Sequence, residues 1–461
     1  VKTSKPNLLD FNPFAIPYQG KVICYLRRDF DFAIGTPEIL LSGSYGSAKS
    51  ILMAHIAVTH CLMNNAARVC LARRSMPDLR RTIFNEVLEH IKEDLVDGED
   101  YEVNNTTATI KFLKTGSEII SISWADKRYE KGKSLKLSGL VFEELSENDD
   151  KDRAAFMALK ARLRRIPTVK ENFLIAATNP GAPSHWVHKY WMESDSPTRK
   201  VFYSVTTDNP FLDPIYIEQL KKDLDPKNAR RYIYGEWIEV DEEVIYSCYK
   251  RDRNFKKEVY KINLRWPISI AFDFNIGEGK PMSCVLSQYD PHNDVFHFFE
   301  EAVVMGARTE DIMEELASRG LFNFNALYQI HGDASGGSNS TRSILSDYGI
   351  IKKFLENYRP PNSPVGKVRF EFKVPKANPP IRERHNMVNA YCFNEAGQIR
   401  LQVYEKCKTL DEGLRLTALK KGGNYIEDDS KHFQHITTAA GYRVVQQVRE
   451  NRTSEVYTTP R

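Results

Sequence analysis

Gly43-Ser44-Tyr45-Gly46-Ser47-Ala48-Lys49-Ser50 is the stretch on which the reading of this chain turns. The apolar run Ile39-Leu40-Leu41 leads into it, and a helical pattern from Ser50 to Cys61 leaves it. Small residues at a strand-to-helix turn let backbone N–H groups wrap phosphates at a helix N-terminus. The pattern gives Lys49 the β- and γ-phosphates of a nucleotide and Ser50 a Mg²⁺ ion. Ala48 stands where the second glycine of such a loop is expected, and its methyl group is tolerable if the local φ is negative. The alternative is a Gly/Ser-rich turn that merely precedes Lys-Ser.

A second element strengthens the first reading. Leu140-Val141-Phe142-Glu143-Glu144 is an apolar strand ending in two acids. Glu143 would bind Mg²⁺ through water, and Glu144 would polarise an attacking water as general base. Strands ending in acids are common at surfaces, but here one shares its half of the chain with the loop. Phe173-Leu174-Ile175-Ala176-Ala177 runs into Thr178-Asn179-Pro180, where Asn179 would sense a γ-phosphate unless the corner is an ordinary Asn-Pro turn. With Arg68-Val69-Cys70-Leu71-Ala72 and Glu118 to Trp124, these strands alternate with helical stretches, as in an α/β parallel sheet.

The bulk numbers set wider bounds. At 461 residues the chain is too long for one core, so two or three domains are expected. No apolar run reaches the roughly 18–20 residues of a membrane span. The first residues lack the apolar core of a signal peptide, so no secretion is expected. Seven scattered Cys read as reduced thiols rather than a disulfide frame or zinc site. A net charge of +4 is too small to argue for nucleic acid. Local clusters count for more: Arg73-Arg74, Arg80-Arg81, Lys127-Arg128 and Arg162 to Arg165.

Residues 241–264, charged and weakly periodic, suit a linker between a domain over 1–240 and another over 265–448. The second opens with Ile268 to Asp273, then Ser283 to Tyr289 and Val295 to Val304, a β meander. A helix from about Glu310, a strand at Leu327 to Ile330 and helices near Pro380–Phe393 and Lys431–Val448 follow. Residues 449–461 read as a disordered tail. Asp273 and Asp333 both close apolar strands, where an acid is costly unless paired or bound to a cation. They can converge on one or two divalent metals. If the last helix includes Asp428, then Asp428, His432 and His435 share a face. Alternatively, Asp429 or Ser430 caps that helix while the histidines pack. Glu300 and Glu301 are extra ligands or a solvent-facing pair.

In this order the two sites resemble the large terminase subunits of tailed bacteriophages, over nearly the whole chain. Besides the stretches above, the resemblance is carried by Thr207-Asp208-Asn209-Pro210-Phe211-Leu212, Tyr234-Gly235-Glu236-Trp237, Ala271-Phe272-Asp273 and Ile381-Arg382-Glu383-Arg384-His385-Asn386. It implies an N-terminal P-loop ATPase domain of the ring-motor type and a C-terminal RNase H-like nuclease. By that resemblance, ATP and Mg²⁺ serve the first domain and Mg²⁺ or Mn²⁺ the second. It makes Tyr18-Gln19 the adenine-side segment, and Tyr45 replaces a basic residue common early in the loop. An arginine acting from a neighbouring subunit is expected, with Arg128 first and Arg162 second. The implied partners are double-stranded DNA, a portal protein, a small terminase subunit and further copies in a ring on the procapsid, with a monomer in solution as the alternative. The implied setting is the cytoplasm of an infected bacterium, with no membrane. One departure matters. The family's last nuclease helix reads His-x-x-Asp-Ala, and here His435 takes the acidic position in His432-Phe433-Gln434-His435-Ile436. Asp428 or Asp429 then supplies the charge, or His435 is itself the ligand or base, with Asp429 the favoured residue. Rival readings are a helicase-nuclease or recombinase of a mobile element, and a catalytically weakened DNA-binding assembly protein.

Overall fold

The structure is a computed structural model that describes residues 7–125, 135–145, 150–164, 166–238, 244–274, 280–337, 345–361, 366–420, 425–430 and 432–458. The chain divides into two compact units, Val1–Ile217 with Lys227–Val240, and Glu218–Pro226 with Asp241–Arg461.

In the first unit, eight strands form one sheet: β1 (Glu38–Gly43), β2 (Arg68–Arg73), β3 (Tyr101–Asn104), β4 (Thr109–Phe112), β5 (Ser117–Ser123), β6 (Gly139–Phe142), β7 (Phe173–Thr178) and β8 (Arg199–Ser204). Their order is β3-β4-β5-β2-β6-β7-β1-β8, with β5 through β8 parallel and β3 and β4 an antiparallel extension. The strand period explains the two-sided burial. Ile39 and Leu41 join one core with the helix Lys49–Met63, while Leu40, Cys70, Leu140 and Phe142 fill the core on the other face. Continuous apolar strands such as these suit a parallel sheet covered on both sides. The order puts β7 between β1 and β6, so the ends of all three strands meet at one edge.

The second unit has seven strands: β9 (Phe255–Lys256), β10 (Ile268–Asp273), β11 (Pro281–Asp290), β12 (Val295–Met305), β13 (Leu327–Gly332), β14 (Arg369–Phe372) and β15 (Leu401–Tyr404). Their order is β14-β13-β10-β11-β12-β15-β9, an antiparallel β10-β11-β12 meander flanked by parallel strands. Ala271 belongs to the core that includes Ile436 and Val444 of the helix Phe433–Thr458, and Ile270 and Phe272 to the opposite core. Both units thus have the α/β architecture expected: a mostly parallel sheet, then a sheet whose antiparallel meander is flanked by parallel strands.

Two boundaries differ from the sequence reading. Residues 244–264 do not form a free linker. Ile245, Tyr246 and Tyr249 are buried in the second unit's core, and β9 joins its sheet edge. The charges that suggested a connector belong to the intervening residues. The last helix continues to Thr458, past the expected tail boundary at 449, and Gln447 and Asn451 hydrogen-bond along it at 2.9 Å. All seven Cys are free, as their spacing indicated. Among the described residues no helix is long and apolar enough to cross a membrane.

Candidate active sites

The loop after β1 is fixed before any chemistry is considered. Gly43 has no room for a side chain, because a Cβ there would lie 2.0 Å from Ser204 Oγ. Tyr18 OH donates to Ser47 O at 2.7 Å, and Gln19 Nε2 donates to Ala48 O at 2.9 Å. Thr206 Oγ1 donates to Tyr45 O at 2.8 Å, and Asn209 Nδ2 donates to Gly46 O at 2.7 Å. Gln19 lines the cleft as expected, but its amide is engaged in bracing the loop. Tyr45 stacks on Tyr232, with centroids 4.5 Å apart and planes 2° from parallel.

Ala48 differs from expectation. Its φ is +60°, in the left-handed region, so the condition of a negative φ fails. An L-residue there costs about 1–2 kcal/mol, which the four hydrogen bonds on the loop backbone hold in place. Glu144 is also left-handed, with φ +51°. Two strained non-glycine residues in one site fit the tendency of such strain to collect where function needs it.

The charged groups converge from three strand ends. Lys49 Nζ donates to Gly43 O and Ser44 O, both at 2.8 Å, and to Asn179 Oδ1 at 3.2 Å. Burial pushes its ammonium down to about 8, against the pull of Glu144 and Glu143. Ser50 Oγ donates to Glu143 Oε1 at 3.2 Å, the pairing a phosphate-bound Mg²⁺ needs. Asn179 Nδ2 donates to both carboxylate oxygens of Glu144, at 3.1 and 3.2 Å, so one amide links Lys49 to Glu144. The cleft above these groups measures roughly 610 Å³, within the usual range for a nucleotide-sized ligand. Phe11, Ile16 and Ile51 supply apolar lining.

Sequence reasoning missed two supports here. Arg73 Nη1 donates to Glu143 Oε2 at 2.9 Å, and Thr82 Oγ1 donates to the same oxygen. In the sequence Arg73 falls among basic clusters of surface type. Its position was legible, because the parallel pairing of Ala72 with Phe142 brings the next residues, Arg73 and Glu143, level. Asn209 belongs to a stretch that the resemblance singles out without giving it a role. Arg128 lies outside the described residues, and Arg162 closes a turn after the helix Asp150–Lys160, its N–H donating to Leu159 O.

In the second unit, β10 and β13 pair in parallel through Phe272 and Gly332, which puts Asp273 and Asp333 next along adjacent strands. Gly332 permits the approach: its φ is +145°, and a Cβ would meet Phe272 O at 2.4 Å. Asp333 Oδ1 accepts from Ser335 N at 2.7 Å and Asn378 Nδ2 at 2.8 Å. Asp273 is buried, and its Oδ2 lies 2.9 Å from His435 Nδ1.

The acids expected to complete this shell are placed elsewhere. The last helix begins at Phe433, so Asp428 shares no helical face with His435. A bridge between Leu419 and Glu427 and the bond from Asp428 N to Ala418 O hold the preceding segment extended. Asp428 Oδ1 accepts from Ser430 N at 3.0 Å, and Asp429 pairs with Lys420 at 2.8 Å. Asp429, the residue favoured from the sequence, is thus paired with Lys420, and it is His435 that lies beside Asp273. Glu300 and Glu301 are buried rather than solvent-facing. Glu301 caps the helix Lys408–Leu416 by accepting from Thr409 N and Leu410 N, and Glu300 pairs with Lys406. Among the described residues no group of three or more His, Cys, Asp or Glu is placed to hold a metal ion.

Comparison with known proteins follows these boundaries. Residues 37–236 match the family described as phage terminase large subunit. The large terminase of a thermophilic bacteriophage superposes with a TM-score of 0.64 at 16% identity, over 94% of this chain and 98% of that one. The same phage protein solved with ADP gives 0.62 at 17% identity, and with ATP-gamma-S 0.61 at 16%, each over 93% and 98% of the two chains. No curated protein matches in sequence. Residues 37–236 thus resemble the phage terminase large subunit family, and the chain carries the fold of a solved large terminase.

Proposed function

We propose that this protein is a viral DNA-packaging motor that hydrolyses ATP to move double-stranded DNA and cuts it with a metal-dependent endonuclease. The observation that carries the reading is the linked set Lys49, Asn179 and Glu144 beside Ser50–Glu143. Lys49 would neutralise the β- and γ-phosphates, Ser50 and Glu143 would hold Mg²⁺, and Glu144, oriented by Asn179, would take a proton from the attacking water. Gly43 to Ala48 would offer backbone N–H groups to the phosphates. The thermophilic phage's large terminase, solved with ADP and with ATP-gamma-S, supports a nucleotide in this cleft.

In the second unit, Asp273 and Asp333 would hold Mg²⁺ or Mn²⁺, which would supply charge neutralisation at the scissile phosphate. The chemistry that supports this reading is two carboxylates at neighbouring strand ends, with the His435 imidazole against one of them. Our reading includes a portal protein, a small terminase subunit and a ring of copies as partners, in the cytoplasm of an infected bacterium.

Glu144→Gln tests the first half. It should retain ATP binding and lower turnover by roughly 10²–10⁴-fold, measured as phosphate release beside a direct binding titration. Wild-type turnover would remove Glu144 from the role of base. For the second half, His435→Ala should slow plasmid cleavage by about 10–100-fold, while Asp429→Ala should cut at the wild-type rate. The reverse ranking would restore Asp429 as the third acid.

A further inference from the structure

The nucleotide cleft holds more acid than uncommitted base. Glu143 and Glu144 flank Lys49, and Arg73 is already engaged by Glu143 at 2.9 Å. A nucleoside triphosphate adds negative charge, and the transition state for its hydrolysis concentrates charge around the γ-phosphate. One further guanidinium stands beside this end of the cleft.

Arg231 lies in the last turn of the helix Pro226–Tyr232. Its Nε donates to Pro180 O at 3.0 Å, and Pro180 directly follows Asn179, which holds the Glu144 carboxylate. Its guanidinium sits over the Tyr232 ring at 5.0 Å from the centroid, and Tyr232 is stacked on Tyr45 of the phosphate loop. The group is thus held by one edge and one face. Its two terminal amino groups make no hydrogen bond among the described residues. An arginine fixed in this way offers a planar pair of donors suited to a phosphate.

We infer that Arg231 is the chain's own arginine for the γ-phosphate, anchored through Pro180 and the Tyr232–Tyr45 stack on the flank of the site that carries Asn179 and Glu144. This rests on the ATP-hydrolysis reading above. A contact with the γ-phosphate distinguishes a triphosphate from a diphosphate, whereas a strut for the loop would not. Arg231→Ala in the full chain should therefore weaken ATP-gamma-S binding by about 10-fold or more, leave ADP affinity within about two-fold, and lower kcat by roughly 10²–10³-fold. Arg231→Lys, which keeps the charge but not the fork, should recover part of the ATP-gamma-S affinity.

Wild type and Lys49→Ala are titrated in parallel with both nucleotides. If Arg231→Ala weakens ADP and ATP-gamma-S equally, or neither, the inference is overturned while the ATPase reading stands. If wild type binds neither nucleotide, the ATPase reading falls and takes the inference with it. If Arg231→Ala does not fold, Arg231→Gln, which retains an amide donor for Pro180 O, is measured the same way and decides on the same ratio.

Discussion

Lys49→Ala should lower ATP turnover by at least about 10³-fold, and added double-stranded DNA should not rescue it. The ammonium donates to two loop carbonyls, Gly43 O and Ser44 O, and to the Asn179 amide oxygen. It is also the cation that Glu143 and Glu144 act on electrostatically. Alanine removes the charge that would meet the phosphates and frees Asn179 from the restraint of Lys49, so Glu144 loses part of its orientation as well. Phosphate release at saturating ATP, with circular dichroism to verify folding, is the measurement. Turnover within ten-fold of wild type would sink the assignment of this loop.

Asp273→Ala should abolish DNA cleavage and leave ATP hydrolysis unchanged. Asp273 and Asp333 sit on adjacent parallel strands, and removing either leaves a single carboxylate for a divalent cation. Asp273→Ala additionally leaves the buried His435 without the carboxylate 2.9 Å from its Nδ1. The imidazole beside the oxygen donors predicts more cutting with Mn²⁺ than with Mg²⁺ in the wild type. Conversion of supercoiled plasmid to nicked and linear forms, with ATPase measured on the same sample, reports both effects. Normal cutting by Asp273→Ala would end the nuclease assignment.

The nucleotide site was legible because its residues follow one another at strand ends. A continuous apolar run followed by Gly, Ser, Lys or Glu marks both the strand and the group it delivers, as with Ile39 to Ser50 and Leu140 to Glu144. The braces were not legible, because Thr206, Asn209 and Tyr18 act on backbone carbonyls far away in sequence, and no local pattern encodes a distant carbonyl. The backbone of Ala48, left as a condition by the sequence, was not legible for a related reason. Side-chain size suggests φ, but hydrogen bonds from Tyr18 and Gln19 fix it. In the second half, Asp273 and Asp333 stood out as acids closing apolar strands. Helical spacing alone favoured Asp428, and it failed because the segment before Phe433 pairs with residues 418–420 instead of continuing the helix. Tyr246 and its neighbours show the same limit. Their charged surroundings suggested a connector, yet their rings are buried in a core formed by later residues.

The contact between Asp273 and His435 also orders events in time. The two residues are 162 positions apart, and the helix that brings His435 follows every strand of its sheet. At about 5–20 residues per second, a ribosome needs roughly 8–30 s to travel from one to the other. Through that interval the residues of the proposed nucleotide site have all been made, while the proposed cutting centre still lacks the histidine. On the proposed function, a protein of this design would gain its grip on nucleotide well before its capacity to sever a genome, a delay written into the order of its residues.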